Sequence, residues 1–122
     1  MASPAQSLFP GGINEYTVVA DPGTGAALPV TGSNWFNITT AGSETNTLAN
    51  PTFLDQKIAI YTTVSSGSRV VTTAAAINQT GNNTITLAAT ADFIILQAIY
   101  AGSTSTLRWR VLLNDGAALS TV

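Results

Sequence analysis

NTITLAATADFIILQAIYAGSTSTLRWRVLL, Asn83 to Leu113, is the densest apolar stretch of the chain, and its reading decides the fold. Three strands fit it. Thr84 to Ala88 alternates Thr with aliphatic residues, Asp92 to Tyr100 is one long apolar run, and Thr106 to Leu113 alternates again before Asn114-Asp115-Gly116. Ala101 to Ser105, with Gly102 inside it, has the length of a hairpin connection. In an extended chain Phe93, Ile95, Gln97 and Ile99 share one face, and Ile94, Leu96, Ala98 and Tyr100 share the other. Both faces are apolar, so this strand needs cover on both sides, from the core and from a further layer or a partner subunit. A short buried helix has the same periodicity. The β-branched and aromatic content, and the punctuation by Gly and Asn, favour the strand. In the last strand Leu107, Trp109, Val111 and Leu113 form one face, and Thr106, Arg108, Arg110 and Leu112 form a wetter one.

Working outward, the same logic gives strands at Glu15 to Val19, Asn34 to Thr40, Thr45 to Leu48, Gln56 to Val64 and Arg69 to Ala75. Leu28-Pro29-Val30 is a short extended piece, and Gly116 to Val122 reads as a tail anchored by Leu119. Turn signals stand at Asp21-Pro22-Gly23, Gly42, Asn50-Pro51, Ser65 to Ser68 and Asn78 to Asn83. About eight short strands and no convincing helix predict a single all-β domain. Its expected form is an antiparallel sandwich or jelly-roll-like barrel over residues 15–122. No fixed period emerges along the chain, which disfavours a repeat solenoid. The expected core is Phe36, Ile38, Ile58, Ile60, Ile85, Leu87, Phe93, Ile95, Trp109 and Val111.

Residues 1–14 are expected to be an N-terminal arm. Ser3-Pro4, Phe9-Pro10 and Gly11-Gly12 deny it helix or central strand, yet it carries Leu8, Phe9 and Ile13. A frayed terminus and an arm that lays its apolar residues on a neighbour are both consistent with this composition. Met1-Ala2-Ser3-Pro4 lacks the basic start and apolar core of a secretory signal, and no run has the length of a membrane-spanning helix. The expectation is a soluble protein made in the cytoplasm.

Composition narrows the function. With 122 residues and 45% hydrophobic content, one domain with a real core is expected. Cys and His are both absent. That removes disulfides, thiol chemistry, the usual general base at neutral pH and the commonest metal ligand. Only 8% of residues are charged, against about a quarter in ordinary domains. Four Lys and Arg with a net charge of −2 do not make a phosphate-neutralising stripe, so no nucleic-acid partner is expected. Asp21-Pro-Gly-Thr-Gly has two glycines but no third, and no Lys follows to make a phosphate loop. Of the six carboxylates, Asp21, Asp92 and Asp115 stand where turns want Asp, and nothing places a catalytic pair. No enzyme, metal or cofactor is expected. Trp35, Trp109 and Tyr100 are either a sugar-stacking platform or core and interface residues; the second reading is preferred. Arg108 and Arg110 lie two apart on one strand face, either solvated or paired with carboxylates of a neighbouring chain.

Several segments taken together resemble small virion proteins of tailed bacteriophages. They are Asp21-Pro-Gly-Thr-Gly, Asn37-Ile-Thr-Thr-Ala-Gly-Ser-Glu-Thr-Asn-Thr-Leu, Pro51-Thr-Phe-Leu-Asp-Gln-Lys, Ile77-Asn-Gln-Thr-Gly-Asn-Asn-Thr-Ile-Thr-Leu and Arg108-Trp-Arg-Val. The similarity is to head decoration (cement) proteins and related capsid-associated β-domains. It implies a homotrimer on the outer surface of the capsid that clamps neighbouring copies of the major capsid protein. On that reading Leu8, Phe9, Ile13, Tyr100, Arg108 and Arg110 are candidate capsid or subunit contacts. Similar sequences in fibre and tail modules imply the alternative, a module binding a host receptor or glycan.

Overall fold

Alternation of β-branched and polar residues between Gly-, Asn- and Ser-rich breaks produces strands throughout. The computed structural model describes residues 15–122, and none of these residues is helical. The strands are β1 (Thr17–Val19), β2 (Asn34–Thr40), β3 (Glu44–Leu48), β4 (Lys57–Ser65) and β5 (Arg69–Thr73), then β6 (Thr84–Leu87), β7 (Phe93–Tyr100), β8 (Leu107–Asp115) and β9 (Ala118–Ser120). They form two sheets. Sheet A has the order β1-β2-β4-β7-β8, and sheet B the order β3-β5-β6-β9.

The two orders match strand for strand because the chain crosses between the sheets by short corners. β2 turns into β3 over residues 41–43, β4 into β5 over 66–68, β6 into β7 over 88–92, and β8 into β9 over 116–117. β1 likewise leads through residues 20–25 to Ala27, which bridges Thr47 of β3 in parallel. Each unit is a bent arch with one leg in each sheet. The first three arches run in the same sense, so β1, β2 and β4 pair in parallel, as do β3 and β5. The β7–β6 arch is reversed and pairs antiparallel with both legs of its neighbour. The β8–β9 arch reverses again.

The sheets are therefore mixed, and the expected wholly antiparallel arrangement is corrected. The physical reason is the corner: a strand that changes sheet after three residues cannot fold back beside itself. Nor does a barrel close, since β1 and β8 end sheet A while β3 and β9 end sheet B. Two further expectations change. The tail supplies β9, whose Leu119 pairs with Ile85. And although the sequence shows no period, β2–β3 and β4–β5 stack as two successive coils. Partners stand 24 residues apart at Asn34↔Ile58 and 25 apart from Thr39↔Val64 to Glu44↔Arg69, with a bulge between. Reversal of the next arch stops the coil at that point.

One core lies between the sheets. Phe36, Ile38, Ile58, Ile60, Ile94, Leu96, Ala98 and Trp109 enter from sheet A; Leu48, Val71, Ile85 and Leu87 enter from sheet B; Leu28 and Ile77 enter from connections. Val111 packs against its margin. Burying each large aliphatic or aromatic side chain contributes about 1.5–3 kcal/mol. Trp109 is 2% exposed and its indole N–H donates to the Ala49 carbonyl at 2.8 Å, so the ring is buried without an orphaned donor. Phe93 and Ile95 do not face this core. The β4–β7 register turns Ile94 and Leu96 inward and leaves Phe93 and Ile95 half-buried on the far side of sheet A.

At the end away from the corners, Gln56 is fully buried and ties the β1–β2 connection to the β3–β4 connection. Its amide N–H groups donate to the carbonyls of Val30 (3.0 Å) and Gly32 (2.9 Å), and its carbonyl accepts from the Thr52 amide at 2.7 Å.

Candidate functional site

The corners carry the densest polar network. Arg69 opens β5 on the inward face, and it is only 1% exposed. Its guanidinium donates to both oxygens of Asp21 (3.0 and 2.9 Å), to Glu44 Oε1 (2.7 Å), to Asn46 Oδ1 (2.8 Å) and to the Thr39 carbonyl (3.1 Å). Asp21 sits in the first corner, where its carboxylate also accepts the amides of Gly23 and Thr39. Asn46 reaches back from β3 to the carbonyls of Gly23 and Ala26. Three successive arches are thereby joined through one side chain. Burial acts to raise the Asp21 carboxyl, but the guanidinium and the two amides outweigh it and hold the group below its ordinary value. Burial likewise acts to lower Arg69, and Asp21 and Glu44 more than offset it. Apart from Arg69 Nε, which is buried without a partner, the guanidinium is spent on groups of the chain itself, and the cluster acts as a fastening between the arches.

The outer face of sheet A is different. Residue by residue across the sheet, Val18, Trp35, Ala59, Ile95 and Leu113 form one row. Asn37, Tyr61 and Phe93 form the next. Rings pack along it: Tyr16 against Trp35 (centroids 5.6 Å), Trp35 against Phe93 (5.2 Å) and Phe93 against Tyr61 (5.8 Å). Ala59 is completely buried on this side, whereas Val18 is 69% exposed and Leu113 43%. A bulge in β8 opposite Ile95 and Leu96 brings Leu113 onto this outer face, away from the core face of Trp109 and Val111. Among the described residues no second layer covers the face.

Charges border this apolar field on one row, where Lys57 pairs with Gln97 and Gln97 with Arg110. Lys57 Nζ lies 2.6 Å from Glu15 and 3.2 Å from Asp55, and Gln97 donates to Asp55. The Glu15 contact raises the Lys57 ammonium above its ordinary value against a smaller opposing effect of burial. Asp55 is lowered by the Gln97 hydrogen bond, then by Lys57. On β8, Arg110 donates to the carbonyls of Ala76 and Trp109, and Arg108 to that of Leu107. Neither arginine has a carboxylate within 4 Å among the described residues, whereas Lys57 and Arg69 each have two.

The candidate contact residues thus fall into separate places. Arg108 and Arg110 are half-buried beside the apolar face, and Tyr100 stands 45% exposed at the hairpin end of β7. Leu8, Phe9 and Ile13 lie outside the described residues. Trp35, Trp109 and Tyr100 do not make a common platform, because Trp109 is in the core and Trp35 on the opposite side of its sheet. Sequence reasoning missed Arg69. Its isolation among Val and Thr at a corner was the available signal, since a lone charge at an inward position requires partners. No protein-family model matches the chain, and comparison with curated proteins and with solved structures returns no match.

Proposed function

We propose that this chain is a structural subunit of a virion: a capsid decoration, or cement, protein of a tailed bacteriophage. On this reading it acts as a homotrimer on the outside of the head and stabilises contacts between major capsid subunits. The observation that carries the reading is the two-sided sheet A. One face builds the core and the other presents Trp35, Phe93, Ile95 and Leu113 to the outside. A chain made this way is built to be held against other protein. The sequence adds to this: few charges, no His or Cys, and an apolar arm in which Leu8, Phe9 and Ile13 are the proposed grip on the shell. Attachment by several arms at once multiplies a weak individual contact through effective concentration. Mixing the protein with undecorated heads tests the proposal. Saturable binding that raises the heads' resistance to heat or chelators is expected, and the absence of binding rejects it.

The outer-face aromatics support a second reading, a fibre or tail module that binds a glycan, because Trp35 has Asn37 hydrogen-bonded beside it at 2.8 Å. Its rings, however, stand at 74° and 72° in two of the three contacts and present edges more than a flat stacking surface.

A further inference from the structure

We infer that the outer face of sheet A is where copies of this chain meet, with Arg108 and Arg110 of one copy against the Glu15–Asp55 side of the next. The inference rests on the reading of the chain as an oligomeric structural subunit and assigns the surface that the reading leaves open.

Disposition of charge carries it. The described chain has six carboxylates and four cationic side chains. Arg69 holds Asp21 and Glu44 inside the corner. Asp92 accepts the amides of Ala88 and Ala89, and Asp115, exposed at the far end of β8 from the arginines, has no cationic partner among the described residues. Lys57 is shared between Glu15 and Asp55, so that group keeps an excess negative charge, with the two carboxylate side chains 51% and 66% exposed. Arg108 and Arg110 are left with carbonyl partners alone. An uncompensated positive pair and an excess negative pair therefore occupy the same face. They also share one level of the sheet, because Lys57, Gln97 and Arg110 are register partners across β4, β7 and β8.

That level matters. Rotation about an axis parallel to the strands moves a copy around the axis without moving it along the axis. Groups that meet across such a closed ring must stand at equal height, and these do. The contact is heterologous, the β8 edge of one copy against the Glu15–Asp55 group of the next, and the proposed trimer is its closed form. A twofold that set β8 against β8 antiparallel would not bring the arginines to Glu15 and Asp55. Trp35 and Ile95 occupy the adjoining row of the same face and Ile99 stands beside Arg108, all apolar and half-buried, so the charged row forms one rim of an apolar field. The rim would set the partner and the rotation, and the apolar centre would supply the affinity.

Sedimentation velocity on the full chain at micromolar concentration tests this, with the thermal melt and near-ultraviolet dichroism of every variant recorded beside it. The parent is expected at three times its 12.5 kDa chain mass. Ile95→Glu and the double variant Arg108→Glu, Arg110→Glu are expected to sediment as folded single chains, or to need at least tenfold higher concentration to associate. Adding Glu15→Arg and Asp55→Arg to the double variant reverses both sides and is expected to restore the parent's mass. Should a reversal variant fail to fold alone, restoration in the fourfold variant still decides the matter. The inference is overturned if the parent is a single chain at tens of micromolar, if Ile95→Glu associates like the parent, or if the fourfold variant remains dissociated. Binding to undecorated heads is scored separately. A single-chain parent that decorates heads overturns this inference and the homotrimer with it, and leaves the decoration role standing; a trimer of the predicted kind that ignores heads does the reverse.

Discussion

Arg69 shows how one charge is kept inside a charge-poor chain. Its desolvation is offset by two carboxylates, a side-chain amide and a backbone carbonyl, all within 3.1 Å. Removing it leaves Asp21 and Glu44 facing each other with little water, and each is no more than 20% exposed. Breaking such a pair from one side costs about 3–5 kcal/mol, with the lower figure expected here because both acids touch solvent. Arg69→Met should therefore lower the urea midpoint sharply, and an unchanged midpoint would mean that the corners do not depend on the cluster. The same network sets the acid limit. Asp21 titrates below its ordinary 3.8 in the folded chain, so its contribution is complete above that value and disappears as pH falls through the lower, folded value. Equilibrium unfolding followed between about pH 5 and about pH 2 should show stability falling with acid, with a flatter profile in Asp21→Asn. Trp109→Ala should cost about 3–5 kcal/mol, a large part of a domain's total of about 5–15, and show as a lowered melting temperature. Of these residues Trp109 was legible in the sequence, because period-two alternation gives its face directly. Arg69 was not, because its partners come from positions 21, 44 and 46, which only the stacked corners bring together.

At the scale of elements, the corners are where the fold is decided, and glycine marks the tightest of them. A Cβ at Gly67 would run into the backbone of Gly42, one coil below, whereas one at Gly42 would meet open space. Gly67→Ala should accordingly be destabilising by about 1–3 kcal/mol, as overpacking against rigid backbone is. Gly42→Ala should be nearly silent. Comparing the two melts distinguishes stacked coils from independent turns. Gly116 is similarly placed, at φ 99° with its missing Cβ directed at Asp92. Strand positions up to β8 were legible to within a residue or two, whereas β9 was read as a tail: β2 runs over Asn34–Thr40 as alternation predicts, and β7 begins one residue late. Pairing was not legible. A short Gly- or Ser-centred link reads as a hairpin whether the chain folds back in one sheet or bends into the other. That single ambiguity turned a mixed-sheet stack of arches into an expected antiparallel sandwich. The face of β7 was ambiguous for a related reason, since both sides of Phe93–Tyr100 are apolar, and the choice between Ile94 and Ile95 depends on its partner strand.

For the whole molecule, the two-sided apolarity of β7 was visible in the sequence and is the feature on which the proposed function stands. The charge imbalance between Arg108–Arg110 and Glu15–Asp55 was not, because it needs the sheet register to place position 57 beside positions 97 and 110. Residues 1–14 remain the proposed grip. Deleting residues 1–13 should preserve the melting temperature and the oligomer while weakening attachment to heads, and equal attachment would assign the grip to loops of the β-domain. The central claim, that the chain decorates a capsid, is tested most directly by counting its copies in purified particles by quantitative mass spectrometry against the major capsid protein. A decoration subunit is predicted at a fixed simple ratio to the capsid protein, on the order of the shell's own symmetry-repeated sites. A few to some tens of copies per particle would place it in a tail or fibre, and would contradict the account.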